Sequence, residues 1–435
     1  MLAAQTAGRA PTMLIRFEAA NFRSILDPVE LSMVAIDEDR DGVWPVPNMG
    51  QSLLSVAAIF GPNASGKTNV LAALTWISRA VFDSLRFWDD GIPVEHFALN
   101  GSESMASTFT VESVIHGIRF EYVVELDSDS IHYEGLFHYP EKKRRRIFER
   151  DESGLKFQRG LGGLSGTREL LTERALVLSI ARRFPEPLVT EFAYDLMSVQ
   201  SLGLPRSRRP VLNPFMSSTI QWFDDDRDNL QPTLFDDDER DQVQADRNQA
   251  LAMLQLADFG ISDVLVEQEE IASLGANSRV RRTVRLMHRT GEGSAPLDFS
   301  QESEGTRTWY RLIGPVLSAL RHGSVLLFDE LDASLHPTLS AELIRLFQRS
   351  DTNPNGAQLI FTSHDTSLLN DLNRDEVWLT EKTEKGATRL GALADFAGER
   401  VRRSANLESA YLHGRFGALP DVDRTDLLRA LRLIG

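Results

Sequence analysis

Residues Leu53–Asn69 read LLSVAAIFGPNASGKTN, a near-continuous apolar run that stops at a glycine-rich loop. A run of that kind fits a strand buried on both faces of a parallel sheet. VLAALTWISRAVFDSL (Val70–Leu85) follows with helical spacing. The order is strand, loop, helix, and Gly61-Pro62-Asn63-Ala64-Ser65-Gly66-Lys67-Thr68 fits G-x-x-x-x-G-K-[ST]. The glycines let backbone N–H groups curl around phosphates, with Asn63, Ala64, Ser65, Gly66 and Asn69 forming the cradle. Lys67 reaches the β- and γ-phosphates, and the Thr68 hydroxyl is placed to ligate Mg²⁺. By average residue usage, a chance match in a chain of this length has a probability of about one in a hundred.

Two further apolar runs complete a parallel sheet. SVLLFDE (Ser324–Glu330) carries a strand to its C-terminal edge, where Asp329 can hold Mg²⁺ and Glu330 can orient an attacking water as general base. A helix from Pro337 separates it from QLIFTSH (Gln358–His364), as in a right-handed β-α-β unit. His364 then falls near the γ-phosphate, although a histidine ending a strand can also be purely structural. DFSQESEGTRTWYR (Asp298–Arg311) offers a second anion turn, with Ser303 and Gly305 at a helix start. One subunit does not need two such turns for one nucleotide. A head-to-tail dimer uses both: ATP on the Lys67 loop of one copy is covered by Ser303 and Gly305 of the other.

Composition bounds the alternatives. The chain has 435 residues, 42% of them hydrophobic and 25% charged, enough for a large core in two or three domains or in one large interrupted domain. It contains no cysteine, which excludes disulfides, thiolate metal centres and thiol nucleophiles and fits the cytoplasm. No apolar run is long enough to span a membrane. Residues 1–12 lack a secretory h-region and read as a disordered extension, with Met13 an alternative start. The net charge of −16 speaks against coating nucleic acid through bulk charge, but nine acidic residues and two basic ones sit in Asp224–Asp241, read as a loop. The remainder is compatible with a local basic groove, so DNA contact stays open.

Along the chain, LIRFEAANFRSI and VELSMVAI alternate like strands, and MASTFTVESVI with IRFEYVVEL reads as a hairpin turning at His116-Gly117. Residues 13–135 thus form an N-terminal lobe and 136–260 an insertion, expected to be a compact, mainly helical lid or docking surface. Arg168–Phe184, Glu191–Gln200 and Asp241–Leu256 are its helices, and GLPRSRRPVLNP is a linker. Residues 261–400 form the C-terminal lobe, with VLVEQEE and RVRRTVRLMH as paired strands and EVWLTEK with GATRLGAL as a hairpin; 401–435 form a helical end. Pro315 predicts a kink or early break in the helix after Ser303. Lys142–Arg146 (KKRRR) could meet nucleic acid, but its alternation with IFER favours a solvated strand face.

With these motifs in this order, the chain resembles the ABC-type ATPase heads of the SMC, RecF and OLD group. Gly61–Thr68 matches Walker A, Asp329–Glu330 Walker B, and Ser303-Glu304-Gly305-Thr306 the signature. Leu331-Asp332-Ala333 matches the D-loop, His364 the switch histidine, and Asn21-Phe22-Arg23-Ser24 the strand end from which Arg23 approaches the nucleotide. ELDASLHP, ESEGTR and YLHGRFGALP (Tyr411–Pro420) look like the stand-alone RloA/AbiL kind, related to ATPase subunits of anti-phage systems such as PARIS. The resemblance implies an α/β ABC-type head with an antiparallel β lobe, a mostly parallel core sheet and a central insertion. It implies ATP and Mg²⁺ as cofactors and a homodimer or larger assembly closed by an ATP sandwich. The effector, a nuclease or toxin, would be a separate protein, since the residues after Asp329 leave no room for the TOPRIM domain of OLD proteins. The alternative is a RecF-type DNA-binding ATPase; a transporter subunit fits less well. Two departures stand out: Glu304 replaces the first signature glycine, and no glutamine can be assigned to the Q-loop, whose neighbourhood is VEHFALNG around Phe97.

Overall fold

The computed structural model describes residues 12–46, 49–99, 101, 105–205, 217–224, 236–271, 279–333, 335–397 and 407–413. The expected disordered extension, the middle of the acidic run and most of the C-terminal segment lie outside these residues. In chain order come β1 (Met13–Ala20), β2 (Val29–Ser32), β3 (Val43–Val46), β4 (Gln51–Leu54), β5 (Val56–Phe60) and α1 (Lys67–Phe87). Next are β6 (Ser107–Ile115), β7 (Ile118–Leu126), β8 (Ile131–His138), β9 (Arg145–Asp151), β10 (Gly154–Phe157), α2 (Val177–Ala181), α3 (Pro187–Met197) and β11 (Gln200–Leu202). Then follow α4 (Asp236–Ala257), β12 (Ile261–Ile271), β13 (Arg279–Thr290), β14 (Gly293–Asp298), α5 (Glu304–His322), β15 (Val325–Phe328) and α6 (Pro337–Gln348). The last elements are β16 (Gln358–Thr362), β17 (Val377–Lys382), β18 (Thr388–Ala392), α7 (Leu393–Ala397) and α8 (Leu407–Leu412).

The core sheet has the order β11-β15-β16-β5-β17-β18, parallel throughout except for β18. Its strands are apolar on both faces because both are covered. Ala57, Ile59, Leu327 and Ile360 face a cluster that includes α1 and the antiparallel lobe. Val56, Ala58, Phe60, Leu326 and Phe361 face a second cluster built with α4, α5 and α6. The lobe is a seven-stranded antiparallel sheet, β10-β9-β8-β7-β6-β1-β2. The β6–β7 turn falls on His116 (φ 50°) and Gly117 (φ 78°), two left-handed residues as a type I′ hairpin requires. The expected fold class, an antiparallel lobe beside a mostly parallel core sheet, is the one observed. Among the described residues no helix is long and apolar enough to cross a membrane.

Several local expectations change. β8 spans residue 135 and the antiparallel sheet continues through β10, taking in the strand that the alternation around IFER implies. The long helix expected over Arg168–Phe184 reduces to α2. Arg150 holds the carbonyls of Thr172, Glu173 and Ala175, which keeps that stretch extended. The buried carboxylate of Glu134 accepts the Val177 and Leu178 N–H groups and starts the helix there. The end of the acidic run, read as loop, opens α4 from Asp236. Residue 200, assigned to a helix, begins strand β11 instead, whose three residues are too short to show a period.

Pro315 does not break α5, which runs without interruption from Glu304 to His322. The reason is a hydroxyl from the insertion. Thr219 accepts the Gly314 N–H (2.9 Å) and donates to the Tyr310 carbonyl (2.5 Å), replacing the rung that the neighbouring proline would strain. Gly314 is small enough to let the 218–219 backbone lie against the helix.

One side chain joins the lobe to the core. Gln358, buried at the start of β16, accepts the Leu14 N–H (2.6 Å) and donates to the carbonyls of Leu14 and Leu54 (3.0 Å each). Gln358→Leu strands three buried backbone groups and is expected to cost about 2–3 kcal/mol. A urea midpoint unchanged from wild type would contradict this.

Candidate active site

The glycine-rich loop leaves β5 at the C-terminal edge of the core sheet and ends as the first turn of α1. Ala64 (φ 61°) and Gly66 (φ 106°) are left-handed, which turns successive N–H groups toward one concavity, a nest for an anion. At Gly66 a side chain is excluded twice, by this φ and because a Cβ would lie 1.9 Å from the Thr388 hydroxyl. Lys67 is buried, and its ammonium donates to the carbonyls of Gly61 (2.9 Å) and Pro62 (3.2 Å). Burial is the largest influence on that ammonium and lowers its pKa, while the carboxylates of Asp329, Glu330 and Asp332 oppose the shift. Those three acids therefore converge on the loop lysine.

Asp329 is buried at the end of β15. Its Oδ1 accepts from Thr68 (3.1 Å) and from Thr362 (2.7 Å), the last residue of β16. The Thr362 hydroxyl also accepts the Glu330 N–H (2.8 Å). Glu330 is exposed and holds a left-handed backbone (φ 55°), a strain of the sort found where a side chain must be aimed. The His364 backbone N–H donates to Asp332 (3.1 Å), which ties the strand end bearing this exposed histidine to the Asp332 turn. Residues Thr68, Asp329, Glu330, Asp332 and His364, chosen from sequence, are thus linked along one sheet edge. Thr68 and Asp329 are hard oxygen donors already in contact, a pair that suits Mg²⁺ with phosphate and water completing its shell.

Behind the loop lie residues that sequence reasoning missed. Ser65 bonds to Thr380 (2.6 Å), and its carbonyl accepts from Thr388 (2.9 Å). Asn69 donates to Ser24 (2.6 Å), so the strand-end turn does reach the loop helix, but through Ser24. Arg23 instead forms a bidentate pair with Glu95 (3.0 and 3.1 Å). VEHFALNG is tied to the same turn, the Phe97 N–H donating to Asn21 (3.1 Å). The backbone beside Asp329 comes from β11: the Asp329 N–H donates to Leu202, and a Cβ on Gly203 would meet the Asp329 carbonyl at 2.2 Å. Gln200 lies at the start of that strand, opposite Leu326.

Ser303 and Gly305 stand at the start of α5. Ser303 is exposed and caps the helix by accepting the Thr306 N–H (3.0 Å). Glu302 just before it is buried and pairs with His288 of β13 (2.7 Å). Because α5 turns at Gly323 directly into β15, its start lies on the C-terminal side of the sheet.

The chain is similar to the SMC head domain from Thermotoga maritima, at 14% identity and a TM-score of 0.39 over 87% of this chain and 98% of that one. It is also similar to an SMC head solved bound to the C-winged helix domain of ScpA, at 12% identity and a TM-score of 0.42 over 87% and 97%. Among curated proteins no sequence relative is found. The family profile described as "AAA domain, putative AbiEii toxin, Type IV TA system" matches residues 56–370, from the strand that feeds the phosphate loop to the segment after His364. That match takes in well over half of the chain, and the protein belongs to this AAA family.

Proposed function

We propose that this AAA-family ATPase is an ATP-gated dimerising switch that controls a separate effector protein in anti-phage defence. The observation that supports the reading is that the loop lysine and the acids meet at one sheet edge while Ser303, at the start of α5, is exposed and, among the described residues, bonds only within its own turn. Lys67, Thr68, Asp329, Glu330 and His364 come from the loop and strand ends of one sheet edge, and Ser303 caps α5 with its side chain exposed. In the closed dimer the loop of one copy holds ATP and the Ser303–Gly305 helix start of the other faces the γ-phosphate. Thr68 and Asp329 would hold Mg²⁺, which when bound would neutralise charge on the phosphates. Glu330 takes the proton of the attacking water, and His364 donates toward the γ-phosphate. Hydrolysis then removes the group that joins the copies.

The toxin–antitoxin wording of the family description supports a part in a system that includes a toxin, and the RloA/AbiL-like motifs support defence. The DNA-binding alternative gains nothing from the basic run. Arg144, Arg145 and Arg146 pair with Glu121, Glu141 and Glu149, as a solvated strand face would.

Light scattering on the Glu330→Gln protein tests the switch. ATP with Mg²⁺ is expected to double its mass, and ADP to leave it monomeric. Ser303→Arg in the same background is expected to weaken the dimer at least tenfold, consistent with loss of a central contact. A mass that ignores ATP, or a dimer indifferent to Ser303→Arg, would remove the proposal.

A further inference from the structure

The hydroxyls behind the phosphate loop form a chain whose direction can be worked out by counting protons. Thr388, buried on β18, donates to the Ser65 carbonyl (2.9 Å) and lies 2.7 Å from the Ser24 hydroxyl. Its single proton is used on Ser65, so it accepts from Ser24. Ser24 has then used its own proton and can only accept from Asn69, which fixes the Asn69 amide with its NH₂ toward Ser24 (2.6 Å). The order is Asn69 NH₂ to Ser24 OH to Thr388 OH to Ser65 C=O. The Thr388 N–H also donates to the Ser24 carbonyl (2.7 Å), locking the two segments together. A second branch runs from the Ser65 hydroxyl to Thr380 (2.6 Å) and on to the Phe60 carbonyl (3.2 Å).

The last acceptor matters because a trans peptide points its C=O and N–H in opposite directions. Holding the Ser65 carbonyl back against β18 aims the Gly66 N–H forward, into the nest. We propose that Thr388 is a positioning residue for nucleotide binding: oriented by Ser24 and Asn69, its hydroxyl holds the Ser65 carbonyl and so fixes the Ser65–Gly66 peptide with its N–H toward the phosphate. This rests on the reading that Gly61–Thr68 binds ATP. It adds that the affinity is set partly by a hydroxyl on a strand more than 300 residues away in sequence. The fit is close, since the place of a Gly66 Cβ is taken by that hydroxyl.

Thr388→Val keeps the shape and β-branching but removes the proton, leaving the Ser65 carbonyl unheld; Thr388→Ser keeps the proton. ATP affinity is measured with a fluorescent ATP analogue, and KM and kcat by phosphate release, with Lys67→Ala as control. Thr388→Val is expected to raise Kd and KM about tenfold, the effect of one lost hydrogen bond at the site, with kcat within about twofold. Thr388→Ser is expected to restore both, and melting temperatures within a few degrees of wild type would show the folds intact. Unchanged Kd in Thr388→Val, or equal impairment in Thr388→Ser, overturns the inference while ATP binding by the wild type stands. If the wild type binds no better than Lys67→Ala, the nucleotide reading itself fails and takes the inference with it.

Discussion

Glu330→Gln is expected to lower the rate of ATP hydrolysis about 10²- to 10⁴-fold while leaving ATP affinity within about threefold of wild type. The substitution keeps the size of the side chain and changes only its ability to take a proton. The backbone contact that aims the residue is its own N–H on the Thr362 hydroxyl, which glutamine retains. The left-handed turn at Glu330 is retained too, so the amide should occupy the place of the carboxylate. Phosphate release at saturating ATP measures the loss, and an equilibrium titration measures the affinity. Hydrolysis at a wild-type rate would transfer the base to another group, with Asp332 the nearest candidate on the same turn.

Lys67→Ala is expected to weaken ATP binding about 100-fold or more, the loss of charge-assisted hydrogen bonds at a buried site. Two effects act in the same direction. The ammonium that donates to the Gly61 and Pro62 carbonyls is lost, so nothing cationic remains inside the loop to meet the phosphates. Asp329, Glu330 and Asp332, which now act on Lys67, are left as three uncompensated acids facing an anionic ligand. Titration with a fluorescent ATP analogue gives the affinity directly. An unchanged value would mean that phosphates do not bind at Gly61–Thr68.

Much of the core was legible because it is local and repetitive. Each of β5, β15 and β16 is a short apolar run ending at a chemically distinctive residue, so the order strand, loop, helix could be read straight from the chain. The candidate residues at those strand ends, Lys67, Thr68, Asp329 and Glu330, are brought together by that order. What escaped is non-local. Thr380 and Thr388 look like any β-hairpin threonines until the fold brings them behind Ser65. Thr219 carries no signal that it will enter the backbone of α5, which is why Pro315 read as a break. Arg23 was assigned by resemblance to the nucleotide, and its pairing with Glu95 depends on a loop without regular structure. That β8 to β10 join a sheet begun more than 100 residues earlier is likewise a non-local fact that their alternation alone does not carry.

The position of β5 between β16 and β17 also constrains how the molecule comes into being. Val56–Phe60 is made early, yet both of its edge partners begin only at Gln358 and Val377. At a synthesis rate of about 5–20 residues per second, the strand waits roughly 15–60 s for them. Throughout that interval a five-residue apolar ribbon has neither neighbour, so its two bare edges are open to pairing with other nascent chains. Fragments that stop short of Gln358 should accordingly precipitate, and a ribosome-associated chaperone that shields Val56–Phe60 should raise the yield of the whole protein.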